Sequence, residues 1–383
     1  MIKIGIRHNL LYPFLSIIFY FTREVISIIL SSYLNFKSSL LLTLIMFIAE
    51  IIAGSIFYFN NFYFLSSKNE RKRTKSGRIT LIHSPSQMSR LDKRFKLYFL
   101  IFIAAYFQFI SFKITTIYLI PFENKSLDIR LRSILPLLIG VLSLFTLRLP
   151  IVKHQIFSLT IILICLIITI ILDSIIECFY FDNMGKYLYH LLFIFIRALI
   201  DAFVELSEKY LLEYNFINPF YIVMFEGFFG SIFISINSIE TNPFKEIKEY
   251  EDNYIVLIIF LIIYFFLSGG RNIYRISTNK IYSPMARSLT DAFLDPLLIC
   301  YYYFFSQDFY IEDQQNIFYF IANLILSIIV VFCVGVYNDF LVLYCCGLEH
   351  HTHYEISRRA SKKENIPLLQ LEKNFEDDGE GIN

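Results

Sequence analysis

The chain has 383 residues, of which 56% are hydrophobic and 18% aromatic, while only 17% are charged. A soluble protein of this size cannot hide that much apolar surface, so long stretches of the chain belong in a bilayer. A formal net charge of +1 leaves no electrostatic footprint for nucleic acid. The six cysteines show neither a disulfide framework nor a metal-ligand spacing.

A membrane span needs about 20 mostly apolar residues. That rule predicts ten spans, at 10–30, 39–60, 97–120, 131–148, 155–180, 187–209, 219–237, 254–269, 284–305 and 316–343. The first is too long for a cleaved signal peptide and has no small-residue cleavage site, so it reads as a signal anchor. Lys and Arg set the orientation. They crowd the polar linker 66–96 (Lys68, Arg71, Lys72, Arg73, Lys75, Arg78, Arg90, Lys93, Arg94, Lys96). They recur in an expected 270–280 linker (Arg271, Arg275, Lys280) and in the tail (Arg358, Arg359, Lys362, Lys363). All fall on one side if both termini are cytosolic. The opposite side receives the mostly acidic 240–252 loop, the 306–315 loop without Lys or Arg, and the sequon at Asn124.

Two segments repeat. "AEIIAGSIF" (49–57) and "FEGFFGSIF" (225–233) share Glu-x-x-x-Gly-Ser-Ile-Phe, with Glu50 and Glu226 leading and Gly54 and Gly230 following. They lie in the second and seventh spans. An odd offset of five spans makes the two copies cross in opposite directions, as in an inverted-topology repeat. Arg132 and Arg287, opening the fourth and ninth spans, are a weaker echo of the same offset. The expected organisation is therefore a first five-helix half at 1–182 containing the 66–96 linker, a second half at 183–345, and a disordered cytosolic tail at 346–383.

Ionisable residues inside the spans are costly, at roughly 2.5–3.5 kcal/mol each on the insertion scale, and normally face the bundle interior. The sixth span places Arg197, Asp201, Glu205 and Glu208 on one helical face; the ninth does the same with Arg287, Asp291 and Asp295. Functionally, such stripes line a cavity: arginines can hold an anionic or zwitterionic solute, and a carboxylate can carry a proton. Structurally, Arg197–Asp201 and Arg287–Asp291 can neutralise each other at i,i+4 spacing. Glu226 can hydrogen-bond across a tight helix contact that Gly54, Gly227 and Gly230 permit.

"VELSEKYLLEYNFINPFYIVMFEGFFGSI" resembles the sixth-to-seventh span region of the drug/metabolite transporter superfamily, closest to its nucleotide-sugar-transporter-like solute carrier branch (family 35). The matching positions are Glu208, Lys209, Pro219, Glu226, Gly227 and Gly230. "NIYRISTNKIYSPMARSLTDAFLD" resembles the eighth-to-ninth region through Asn272, Thr278, Lys280, Ser283, Arg287 and Asp291. "LRSILPLLIGVLSLFTLRLPIVKHQIFSLTIILICLI" resembles the fourth and fifth spans, including His154 and Gln155. The likeness covers roughly 35–345; the Arg23-Glu24 pair of the first span has no counterpart in it. It implies an all-α integral membrane fold of ten transmembrane helices in two inverted five-helix repeats. It also implies that Arg287, Asp291 and Lys280 lie near a solute cavity.

The tail carries "ENIPLL", an acidic dileucine pattern (Glu364, Leu368, Leu369) of the kind that sorting adaptors read, which points to an endomembrane such as Golgi, endosome, lysosome or vacuole. Cys345 and Cys346, beside the last apolar run, are palmitoylation candidates. There is no P-loop, GxSxG or HExxH. The expected function is secondary transport of a small organic solute by alternating access, driven by exchange or a proton, with no cofactor or metal and no enzymatic activity. The partners are the solute, the lipid bilayer and sorting adaptors, with a homodimer left open. The alternatives are a polytopic membrane enzyme acting on lipid and a transport-incompetent scaffold or receptor.

Overall fold

The computed structural model describes residues 2–4, 11–34, 36, 39–73, 90–115, 125–146, 152–176, 184–213, 217–237, 254–281, 284–305, 315–338 and 340–343. The 240–252 and 306–315 loops lie almost wholly outside them. So do Asn124, Cys345, Cys346 and the tail motif at Glu364, Leu368 and Leu369.

The described chain is almost entirely helical. In order, it contains β1 (Ile2–Ile4), α1 (Leu11–Ile28), α2 (Ser39–Arg73), α3 (Arg90–Ile114), the short α4 (Lys125–Arg130), α5 (Ile134–Thr146) and α6 (Lys153–Ile176). There follow α7 (Met184–Glu213), α8 (Pro219–Asn237), α9 (Tyr254–Ile281), α10 (Pro284–Phe305), α11 (Gln315–Tyr337) and β2 (Leu341–Leu343). A single 3-10 turn, Leu131–Ser133, joins α4 to α5 into one rod. Among the described residues nine segments are long and apolar enough to cross a membrane. The further long helix, α10, carries Arg287, Asp291 and Asp295.

Local chemistry explains several boundaries. Pro219 opens α8, where a missing N–H costs nothing, and Asn218 Oδ1 accepts the Phe220 N–H at 3.0 Å. Gln155 Oε1 reaches back to the Val152 N–H at 3.1 Å, the reciprocal half of a capping box at the start of α6.

Polarity runs inside out. On α6, Ile156, Leu163, Ile164, Ile167, Ile171 and Ile175 are exposed, whereas Ser158, Thr169 and Asp173 are buried. On α9, Ile255, Ile259, Ile262 and Phe266 face outward, whereas Ser268, Asn272, Arg275 and Asn279 are buried. An exterior of bare Ile and Phe around a polar interior fits hydrocarbon as solvent. The chain is an all-α, multi-pass membrane protein.

The helices pack in a pattern with an internal exchange. α1 lies on α9 and α3 lies on α7; α2 lies on α9 and α3 on α8; α5 lies on α7 and α10 on α1; α5 touches α6 and α10 runs along α11. α2 pairs with α8, α6 with α11, and α5 with α10. Swapping α1, α2, α3, α5 and α6 for α7, α8, α9, α10 and α11 turns each of these pairs into another member of the same set. α9 departs from the pattern, because it also touches α7, α8 and α10, and so does the α7–α10 contact.

The α2–α8 pair is antiparallel. Gly54 abuts Met224 and Phe220, Gly227 abuts Phe47, Glu50 and Ile51, and Gly230 abuts the Phe47 ring. As numbers rise along α2 they fall along α8. The crossing is centred beside Glu50 and Glu226.

One expected linker is corrected. The sequence suggests that the eighth span ends at 269 and that 270–280 is a basic loop, but α9 runs unbroken from Tyr254 to Ile281. Its Gly269–Gly270 pair is a packing notch. A Cβ on Gly269 would stand 3.2 Å from the Ala53 Cβ, and Gly270 seats the Phe19 ring. Arg271 and Arg275 are thus interior groups, and the orientation argument loses two of its charges.

Candidate functional site

Two neighbouring polar clusters occupy the bundle interior. The first lies at the α2–α8 crossing, where Glu50 and Glu226 are both fully buried. Glu50 Oε1 accepts hydrogen bonds from Asn272 Nδ2 of α9, at 2.5 Å, and from Gln108 Nε2 of α3, at 3.4 Å. Arg275 of α9 spans two carboxylates, Glu208 of α7 at 2.5 Å and Glu226 at 3.4 Å. Asn279 Nδ2 donates to the other Glu208 oxygen at 3.3 Å, and Lys209 Nζ donates to the Asn279 carbonyl at 3.0 Å. Arg275, read as a loop cation, is therefore the ionic hub of this cluster.

The second cluster surrounds Tyr20 of α1. Three guanidinium carbons approach its ring: Arg271 at 3.8 Å, Arg23 at 5.0 Å and Arg132 at 5.7 Å from the centroid. Arg132 also donates to the Tyr20 hydroxyl at 3.3 Å and lies 3.9 Å from both Asp128 and Asp295. Arg197 pairs with Asp128 at 2.8 Å and with Asp201 at 3.6 Å. Arg23 pairs with its neighbour Glu24. Arg287 pairs with Glu205 of α7 instead of with Asp291, the i,i+4 partner that the sequence offers. Asp291 is half-buried, within electrostatic reach of Arg271 and Arg287. Arg271 is half-buried, and no carboxylate of the described residues lies within ion-pair distance of it.

No protein-family model matches the chain, and no curated protein matches it.

A small cavity lies between the α4–α5 rod, α6, α10 and α11. It is lined by Arg130, Ser133, Thr169, Asp295, Asn323 and Ser327 among others, with about 10 Å³ of room, on the order of one water molecule. Beside it Arg130 pairs with Asp173 at 3.2 Å, and the Tyr319 hydroxyl donates to the same carboxylate.

The sequence-derived candidates divide between these places. Glu50 and Glu226 sit in the first cluster, and Arg132, Arg197, Asp201, Asp291 and Arg287 in or beside the second. Lys280 is exposed at the end of α9 and joins neither. Gly54, Gly227 and Gly230 form the α2–α8 contact surface. Tyr20, Gln108, Asp128, Arg271 and Arg275 were not among the candidates. Arg271, Asn272 and Arg275 recur at i, i+1 and i+4 after an apolar run. That spacing signals a continuing helix with a polar face, and the glycine pair masks it.

Proposed function

We propose that the protein is a secondary transporter that moves a small organic solute across a membrane by alternating access between two inverted five-helix halves. The observation that carries this reading is the exchange pattern of helix packing, with its antiparallel α2–α8 crossing at the two repeated glutamates. A bundle of two related halves can rock about such a seam, exposing polar groups first to one side and then to the other. The resemblance to drug/metabolite transporters of the nucleotide-sugar-transporter-like branch supports the same architecture.

Ten crossings are favoured over nine. β1 pairs antiparallel with β2, Ile2 opposite Leu343 and Ile4 opposite Leu341, which brings the segment before α1 to the segment after α11. Ends on one face need an even number of crossings, so the charged helix α10 is counted as a span. The basic 66–96 segment and tail then place both termini in the cytosol, in an endomembrane if the dileucine pattern is used. The solute site is best assigned to the Tyr20 cluster. There Arg271 offers a cation without an ion-pair partner among the described residues, next to Arg132, Arg287 and Asp291. An anionic or zwitterionic group on the solute suits it.

The test is transport by the purified chain in liposomes loaded with candidate metabolites. We expect saturable counterflow of at least one organic anion or zwitterion. Arg271→Ala and Arg287→Ala should each lower it by about tenfold or more, since a charge-assisted contact contributes about 1.5–3 kcal/mol. Absence of protein-dependent flux for every class of solute would overturn the reading. A scaffold is the second reading, favoured by the mutual pairing of buried charges such as Arg275 with Glu208 and Arg197 with Asp128. It predicts no flux and no effect of Arg271→Ala.

A further inference from the structure

The cluster at the α2–α8 crossing holds more carboxylates than it can keep ionised. Glu50, Glu208 and Glu226 are each fully buried. Among the described residues one guanidinium, Arg275, lies within ion-pair distance of any of them, and it serves Glu208 and Glu226. Among the described residues Glu50 receives hydrogen bonds only from the neutral amides of Asn272 and Gln108. The remaining charged groups point to other partners: Lys209 to the Asn279 carbonyl, Arg271 to Tyr20, and Glu205 to Arg287.

The hydrogen-bond inventory has the same imbalance. Glu50 Oε2, Glu226 Oε1, Gln108 Oε1 and Asn272 Oδ1 are buried acceptors without a donor. Four orphan acceptors at one helix crossing describe a site that lacks donors. An unpaired buried acceptor costs about 1–3 kcal/mol, and an uncompensated buried carboxylate costs more. The two helices meet closely beside Glu50. A Cβ on Gly227 would already stand 2.7 Å from the Phe47 carbonyl and 2.8 Å from the Glu50 Cβ. The smallest group that removes a negative charge and adds a donor together is a proton.

We infer that Glu50, at the α2–α8 crossing beside Glu226, is a proton-binding site that holds a proton at neutral pH. Binding adds one proton to a carboxylate oxygen and removes one unit of negative charge. The new O–H can donate to an amide oxygen such as that of Gln108 or Asn272. Glu226 keeps a share of Arg275, whereas Glu50 has no cation within ion-pair distance among the described residues, so the proton sits on Glu50. Releasing the proton leaves the crossing with an unpaired charge, which favours parting of α2 from α8 and entry of water. As the coupling site of a proton-driven carrier, Glu50 rests on the transporter reading. As a proton-binding site it does not.

Infrared spectroscopy of the purified full chain, titrated from mildly acidic to mildly alkaline pH, separates the two. We expect a protonated-carboxyl C=O band that persists at neutral pH, disappears in Glu50→Gln, and shifts in frequency in Glu226→Gln. In Glu208→Gln the band is expected to persist, because Arg275 is then free to serve Glu226 while Glu50 still has only amide donors. The unmodified chain decides the matter even if a variant fails to fold, since absence of any protonated-carboxyl band at neutral pH would overturn the inference. Persistence of an unchanged band in folded Glu50→Gln and folded Glu226→Gln would do the same. A band with no solute flux defeats the transporter reading alone; flux without the band defeats this inference alone.

Discussion

Gly227 shows how one missing side chain governs the centre of the molecule. Glu50 can sit fully buried because the facing helix offers backbone in place of a side chain, which lets two polar helices close without a gap. Gly227→Val should therefore destabilise the protein by about 1–3 kcal/mol through overpacking. Nothing lies within 4 Å of a Cβ added at Gly185, so Gly185→Ala is the neutral control. Thermal unfolding in one detergent measures both, and equal midpoints would contradict the packing argument. Tyr20 holds a comparable place in the second cluster. Its ring faces three guanidinium groups that would otherwise repel one another, an arrangement that cation–π attraction stabilises at about 0.5–2 kcal/mol per contact.

Helices are joined by charges that each contributes to a neighbour. Arg197 of α7 with Asp128 of α4 and Arg132 with Asp295 of α10 tie the α4–α5 rod to later helices, and Arg287 of α10 with Glu205 of α7 ties two later helices to each other. Removing one partner of such a pair strands the other in a medium that cannot solvate it. Glu205→Ala is expected to cost about 3–5 kcal/mol, whereas Glu205→Leu combined with Arg287→Met should recover most of that loss. Thermal unfolding of the single and double variants checks this, and a double variant as unstable as the single would refute the pairing. A second joint is apolar. Tyr98 with Phe225, Phe102 with Phe229 and Tyr106 with Phe233 form a ladder of rings at 5.4 Å that runs α3 parallel to α8. Part of the chain's aromatic richness is spent here, on helix contact.

At the scale of the whole molecule the segment before α1 meets the segment after α11 in the β1–β2 ribbon. In sealed vesicles of a background without native cysteines, Lys3→Cys and Val342→Cys should react with a membrane-impermeant thiol reagent from the same side. Labelling from opposite sides would mean an odd number of crossings and would exclude the ten-span architecture. The expected spans at 219–237 and 284–305 coincide with α8 and α10, and most others shift by a few residues at their ends. Those segments were legible because an apolar window and a leading proline act locally. The run from Arg271 to Lys280 was not. Arg275 looks like a loop charge when its neutralising carboxylates, Glu208 and Glu226, lie far away in sequence on two other helices.

Sequence alone determined which segments are apolar enough to enter a bilayer, and it exposed the glutamate–glycine repeat. Insertion depends on the composition of each window of about 20 residues, which needs no partner. Tertiary structure alone decided which charges meet: Arg275 with Glu208 and Glu226, Arg287 with Glu205 in place of Asp291, and Glu50 with two amides and no cation. A buried charge is tolerable only when a group from another helix arrives within hydrogen-bond reach, and the approach of two helices is set by packing across the whole bundle.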